Sequence, residues 1–100
     1  MKLQNIGNTL RVSQINELTA SNSASIRDSI REGLLAGHQI LDMDLSETTF
    51  IDSSGLGILI SLQKTLRARN GAIRIVHPTP TVVQVLELTR MHRIFDLVRD

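Results

Sequence analysis

Two adjacent hydroxyls and a carboxylate stand together in the run Phe-Ile-Asp-Ser-Ser-Gly-Leu-Gly over residues 50–57. Apolar residues at helical spacing follow from Leu56, so Asp52, Ser53 and Ser54 fall where the chain enters a helix. Unpaired backbone N–H groups and the positive end of the helix dipole point at such an entrance, which tolerates added negative charge. Gly55 and Gly57 leave room there for the backbone of another protein. The chemistry that fits is that of a phosphoacceptor, with one of the two serines, Ser53 or Ser54, as the modified residue. A phosphoryl group adds about 1.5–2 negative charges, enough to turn a chain of formal net charge +1 negative. Asp52 would repel that group, and an acidic or apolar partner surface would reject it. Modification is therefore expected to dissociate a complex rather than unfold the domain. Ser53 and Ser54 also suit a helix cap, a role compatible with the switch.

Other chemistries find less support. A hydrolytic serine needs a base and an orienting acid, and the Gly-x-Ser-x-Gly elbow is absent, so no enzyme activity is expected. His38, His77 and His92 lack partners at metal-ligand spacing and read as loop or surface residues, and no metal is expected. The Gly55-Leu56-Gly57 run lacks the lysine of a P-loop and the third glycine of a dinucleotide fold. No cofactor is expected, and any nucleotide belongs to the partner. Lys64, Arg67 and Arg69 lie where cations offset the negative end of a helix dipole and read as a solvated face. Arg90, His92 and Arg93 have no companion basic patch to mark an acidic partner's contact.

The elements that must position the motif follow from periodicity and punctuation. Residues 3–6 and 10–15 read as two antiparallel strands joined at Gly7-Asn8, a pair suited to the positive φ angles of a tight hairpin. The polar run over residues 19–23 predicts a loop and a helix N-cap. Ile26, Ile30 and Leu34 then mark an amphipathic helix, with Gly37 as its capping glycine. Leu41, Met43 and Leu45 oppose Asp42 and Asp44 in a central strand. A second helix is predicted from about Ser53 to Arg69, stopped by Asn70-Gly71. Leu56, Leu59, Ile60 and Leu66 form one face of it. Ile58 and Leu62 lie off that face, a surplus assigned to a partner. A strand over residues 72–76 follows, then Thr79 and Pro80 open a third helix with Val82, Val83, Leu86 and Thr89 inward. Residues 94–98 close the chain as a packed segment. Alternating strands and helices make this an α/β chain: a small mixed sheet, antiparallel hairpin first and mostly parallel afterwards, with helices packed mainly on one face.

Composition bounds the rest. One hundred residues, 41% hydrophobic and 21% charged, predict one folded domain over residues 1–100. A near-neutral chain whose aromatics are Phe50 and Phe95 argues against nucleic acid, for want of both a basic footprint and stacking platforms. Cysteine is absent, no secretory h-region opens the chain and no apolar run is long enough for direct membrane insertion, so a cytoplasmic location is expected.

The motif over residues 50–57 and Ile58-Leu59-Ile60 are preceded by Ile-Leu-Asp-Met-Asp-Leu over residues 40–45. They are followed by His-Pro-Thr-Pro over residues 77–80 and Val-Leu-Glu-Leu-Thr over residues 85–89. The whole pattern resembles the STAS domain family, and within it the bacterial anti-sigma factor antagonists. The resemblance implies an anti-sigma factor serine kinase, a histidine-kinase-like (GHKL-type) ATPase, that binds the unmodified protein and so releases a sigma factor. It implies that this kinase phosphorylates Ser53 to end the interaction and that a metal-dependent serine phosphatase reverses it. Asp52 would orient the site, and Ser54, Gly55, Leu56, Ile58 and Thr19 would join Asp52 and Ser53 in the partner contact. Thr19 stands where the family usually carries an aspartate near the phosphosite, a hydroxyl in place of a carboxylate. That departure favours the alternative the resemblance also implies: a non-cycling scaffold or accessory subunit of a stress-signalling complex or lipid ABC transporter.

Overall fold

The computed structural model describes residues 1–99. Strands β1 (Lys2–Ile6) and β2 (Thr9–Ser13) pair antiparallel from Ile6↔Thr9 outward. Of the two turn residues only Gly7 has positive φ, at 59°, so one left-handed residue rather than two closes the hairpin. Helix α1 (Ser23–Gly33) leads to β4 (Ile40–Asp44), and the short strands β3 (Glu17–Leu18) and β5 (Phe50–Ile51) flank that passage. Helix α2 (Ser53–Arg67), strand β6 (Ala72–Val76), helix α3 (Pro80–Leu88), a 3-10 turn at Met91–Arg93 and strand β7 (Asp96–Val98) complete the chain. The main sheet has the order β1-β2-β4-β6-β7, with every pair after the hairpin parallel. Each parallel connection moves the chain one way across the sheet through a helix, and right-handed crossovers of that kind stack their helices on one face.

That face is the core. Leu10, Val12, Leu41, Met43, Ile73 and Ile75 from the sheet join Ile26, Ile30, Leu59, Leu62, Leu66, Val82 and Leu86 from the helices in one buried cluster. The opposite face carries charges in register, Arg11, Asp42, Arg74 and Asp96 on successive strands. Arg74 grips Asp42 with two bonds of 2.6 and 2.8 Å, and Arg11 reaches Asp44 at 2.8 Å. The surplus on α2 is resolved here: Ile58 and Leu62 are buried because α1 packs against α2, so this chain covers the second apolar stripe itself.

Several local expectations are corrected by the packing. Helix α1 stops at Gly33 with extended Leu34 as its C-cap, short of Gly37. Asn22 precedes α1 yet gives it no side-chain cap. Its amide oxygen accepts from the Thr19 N–H at 2.9 Å and its NH2 donates to the Glu17 carbonyl at 2.8 Å, stapling the loop instead. His38 does lie in a loop, the one before β4, but is buried there rather than on the surface, its Nδ1 accepting from the Leu35 N–H at 2.9 Å. Arg69 does more than offset a dipole: it donates to the carbonyls of Leu35 and His38 at 2.7 and 3.3 Å and pins the loop before β4. Thr89 is exposed at the C-cap of α3 rather than buried. Thr79 and Pro80 behave as the sequence predicts, Thr79 Oγ1 accepting from the Val82 N–H at 3.3 Å and Pro80 opening the helix.

Candidate functional site around Ser53

Strand β5 ends at the motif. It lies parallel to β3, with Glu17 opposite Phe50 and Leu18 opposite Ile51, and the Asp52 N–H continues the pairing to the Leu18 carbonyl at 3.2 Å. Strand alternation turns Ile51 into the core at 5% exposure and leaves Phe50 open at 56%. Asp52 is extended and caps α2. Its Oδ1 accepts from the Gly55 N–H at 3.0 Å, its Oδ2 from the Ala20 N–H at 3.1 Å, and its carbonyl accepts the Leu56 N–H at 3.0 Å. The amides of Gly55 and Ala20 hold its carboxyl below the usual aspartate range, so the group is ionised at neutral pH. The cap role that the sequence offered to the serines therefore belongs to Asp52. Ser53, the first residue of α2, is left exposed, and Ser54 is half-buried behind it.

The remaining expected contact residues divide sharply. Gly55, Leu56 and Ile58 face inward, the last two at 6% and 5% exposure, so their side chains build the site from beneath instead of offering apolar surface. A Cβ on Gly55 would lie 2.1 Å from the Leu18 carbonyl oxygen; the close approach that requires glycine is made by this chain's own β3. Gly57 is exposed with open space where a Cβ would point. Thr19 does lie beside the motif, because the Ala20 amide bonds Asp52. Its hydroxyl turns into its own loop, however, sharing a hydrogen bond of 2.9 Å with Ser21 Oγ, and Thr19 is buried. Phe50 is the surface residue that the sequence reading passed over. Its place two residues before an outward Asp52, in a strand whose intervening residue is Ile51, was the available signal.

A hydroxyl in this setting can accept a phosphoryl group. Asp52, the carboxylate adjacent in sequence, spends one oxygen on each of two amides, which suits it to fixing the helix entrance. Among the described residues no group of three or more His, Asp or Glu side chains is arranged to hold a metal ion.

The family description STAS domain matches residues 1–100. This chain belongs to the STAS domain family. A Thermotoga maritima relative named "Putative anti-sigma factor antagonist" is 33% identical over 63 residues, 63% of this STAS domain and 56% of that protein. The matched stretch thus spans little more than half of that relative's length. The anti-sigma-B factor antagonist of Listeria monocytogenes is 22% identical over 81 residues, 81% of this chain and 71% of that protein. The solved structure of the anti-sigma factor antagonist SpoIIAA in its unphosphorylated form superposes with a TM-score of 0.83 at 21% identity. It covers 99% of this chain and 88% of that one. The Bacillus SpoIIAA structure in the phosphorylated form gives 0.72 at 20% identity, covering 99% and 91%. These structures share the mixed sheet and three helices of this STAS domain. Among its described residues no helix is long and apolar enough to cross a membrane.

Proposed function

We propose that this STAS domain is a cytoplasmic anti-sigma factor antagonist whose partner binding is controlled by phosphorylation of Ser53. The unmodified surface around Asp52, Ser53, Ser54 and Gly57 binds an anti-sigma factor serine kinase of the histidine-kinase-like ATPase class, which then releases its sigma factor. Phosphoryl transfer to Ser53 ends the complex, and a serine phosphatase restores it. The observation that carries this reading is the exposure of Ser53 as the first residue of a helix already capped by Asp52. The hydroxyl has no capping duty to surrender, so a phosphoryl group meets the ionised Asp52 and the docked partner rather than the core. The names of the relatives support the antagonist role. It is a binding switch, not a hydrolase.

The buried, uncharged Thr19 favours a second reading, in which the domain scaffolds a stress-signalling complex or a lipid ABC transporter without cycling through phosphorylation. One comparison separates them. Quantitative mass spectrometry of proteins captured by Ser53→Ala and Ser53→Asp baits is expected to find a histidine-kinase-like ATPase on the alanine bait and markedly less on the aspartate bait. Equal recovery of transporter or scaffold subunits on both would make Ser53 a surface residue and leave the scaffold reading.

A further inference from the structure

Phe50 is one of two aromatic residues in the chain, which has no Trp or Tyr. Phe95 is buried at 5% exposure, whereas Phe50 stands open at 56% on β5. For a phenylalanine that is apolar surface on the order of 100 Å² left in water. Ile51 already supplies this strand's contribution to the core, so the fold does not account for a large aromatic beside it. Position accounts for it better. Ser53 lies three positions after Phe50, and three extended residues span at most about 10 Å. An ordinary docking footprint of about 800 Å² per partner, taken as a disc, has a radius of about 16 Å. A footprint of that size centred on the Ser53 hydroxyl therefore reaches Phe50 as well. Ile51, Leu56 and Ile58 are buried, so among the large apolar side chains of residues 50–58 the ring is the one left exposed to anchor a partner.

We infer that Phe50 is the aromatic anchor of the kinase-docking face, received by an apolar recess beside the kinase's nucleotide site. This rests on the proposed function and deepens it. A desolvated aromatic near the centre of an interface typically dominates its affinity, whereas truncating it leaves phosphoryl transfer intact once the complex is saturated. The test uses the kinase captured by the Ser53→Ala bait, purified, with calorimetric titration of Ser53→Ala against Ser53→Ala/Phe50→Ala and ATP-dependent phosphorylation of the Phe50→Ala single variant. The expected result is a Kd weaker by about ten- to a hundredfold, KM raised to match, kcat unchanged and thermal unfolding close to the unsubstituted chain. Phe50→Leu, which keeps apolar bulk, is expected to recover most of the loss. Unchanged affinity in both variants would overturn the anchor while leaving the switch standing. If the Ser53→Ala bait captures no such kinase, the proposed function fails and the anchor falls with it. Concentration-dependent self-association that disappears in Phe50→Ala would assign the ring to a second copy of this chain, and would equally overturn the kinase anchor.

Discussion

Asp52 concentrates several demands in one side chain, capping α2 through the Gly55 amide and tying down the loop before α1 through the Ala20 amide. Its folded pKa is depressed, so the stability it contributes is present above the unfolded value of about 3.9 and is lost as pH falls through the lower folded value. Thermal unfolding of Asp52→Asn is accordingly expected to lie below that of the unsubstituted protein at pH 7, with the gap narrowing below pH ~4; a gap constant from pH 7 to pH 2 would contradict this. The two motif glycines separate by the same kind of local reasoning. Gly55→Ala drives a Cβ against the Leu18 backbone, where no rotamer change relieves the clash, and should cost at least about 2 kcal/mol. Gly57→Ala meets nothing and lies within α2, so it should gain about 0.5–1 kcal/mol. Urea unfolding of the pair checks both, and a similar effect from both would refute the distinction. These outcomes are invisible in the sequence, where both glycines sit in the same Gly-Leu-Gly triplet.

At the scale of elements, α3 is the one whose start is most legible. Thr79 and Pro80 are its N-cap and first residue by residue type alone, and both take those places. Thr79 Oγ1 also donates to the Thr48 carbonyl at 2.6 Å, joining α3 to the segment that leads into β5. Thr79→Ala is therefore expected to lower stability by about 1–2 kcal/mol, whereas Thr89→Ala, on the exposed C-cap, should change it little; the two midpoints in a denaturant titration decide. The start of α1 was less legible. Asn22 is a favoured capping type, but the nearby Thr19 amide and Glu17 carbonyl compete for its side chain and win. Strands β3 and β5 went unread because two residues give no periodicity. They exist because the chain before α1 and the chain before α2 are brought side by side, and they set Thr19, Asp52 and Ser53 together.

Across the whole molecule, the proposed phosphorylation of Ser53 would be an electrostatic change on a fold that does not depend on that hydroxyl. Ser53 is exposed, so the phosphorylated protein is expected to keep its circular dichroism and cooperative unfolding while its net charge moves from +1 to about −1. Ion-exchange elution together with a melting curve would check this, and loss of cooperative melting on phosphorylation would place Ser53 in the fold's support. By itself the sequence determined the order of the main-sheet strands and the three helices, the parallel sheet behind an antiparallel hairpin, and the helix entrance at Ser53, because periodicity, turn residues and crossover handedness are local or nearly so. Only the tertiary structure decided which motif residues are exposed and which are buried. Ile58 and Leu62 looked like surplus apolar surface on an isolated α2, yet α1, contributed by a segment some thirty residues earlier, buries them. The reverse holds for Phe50, apolar by type and open because Ile51 takes the inward place. Burial depends on which distant segment arrives at a face, and a helical or strand period specifies that the face exists without naming what will cover it.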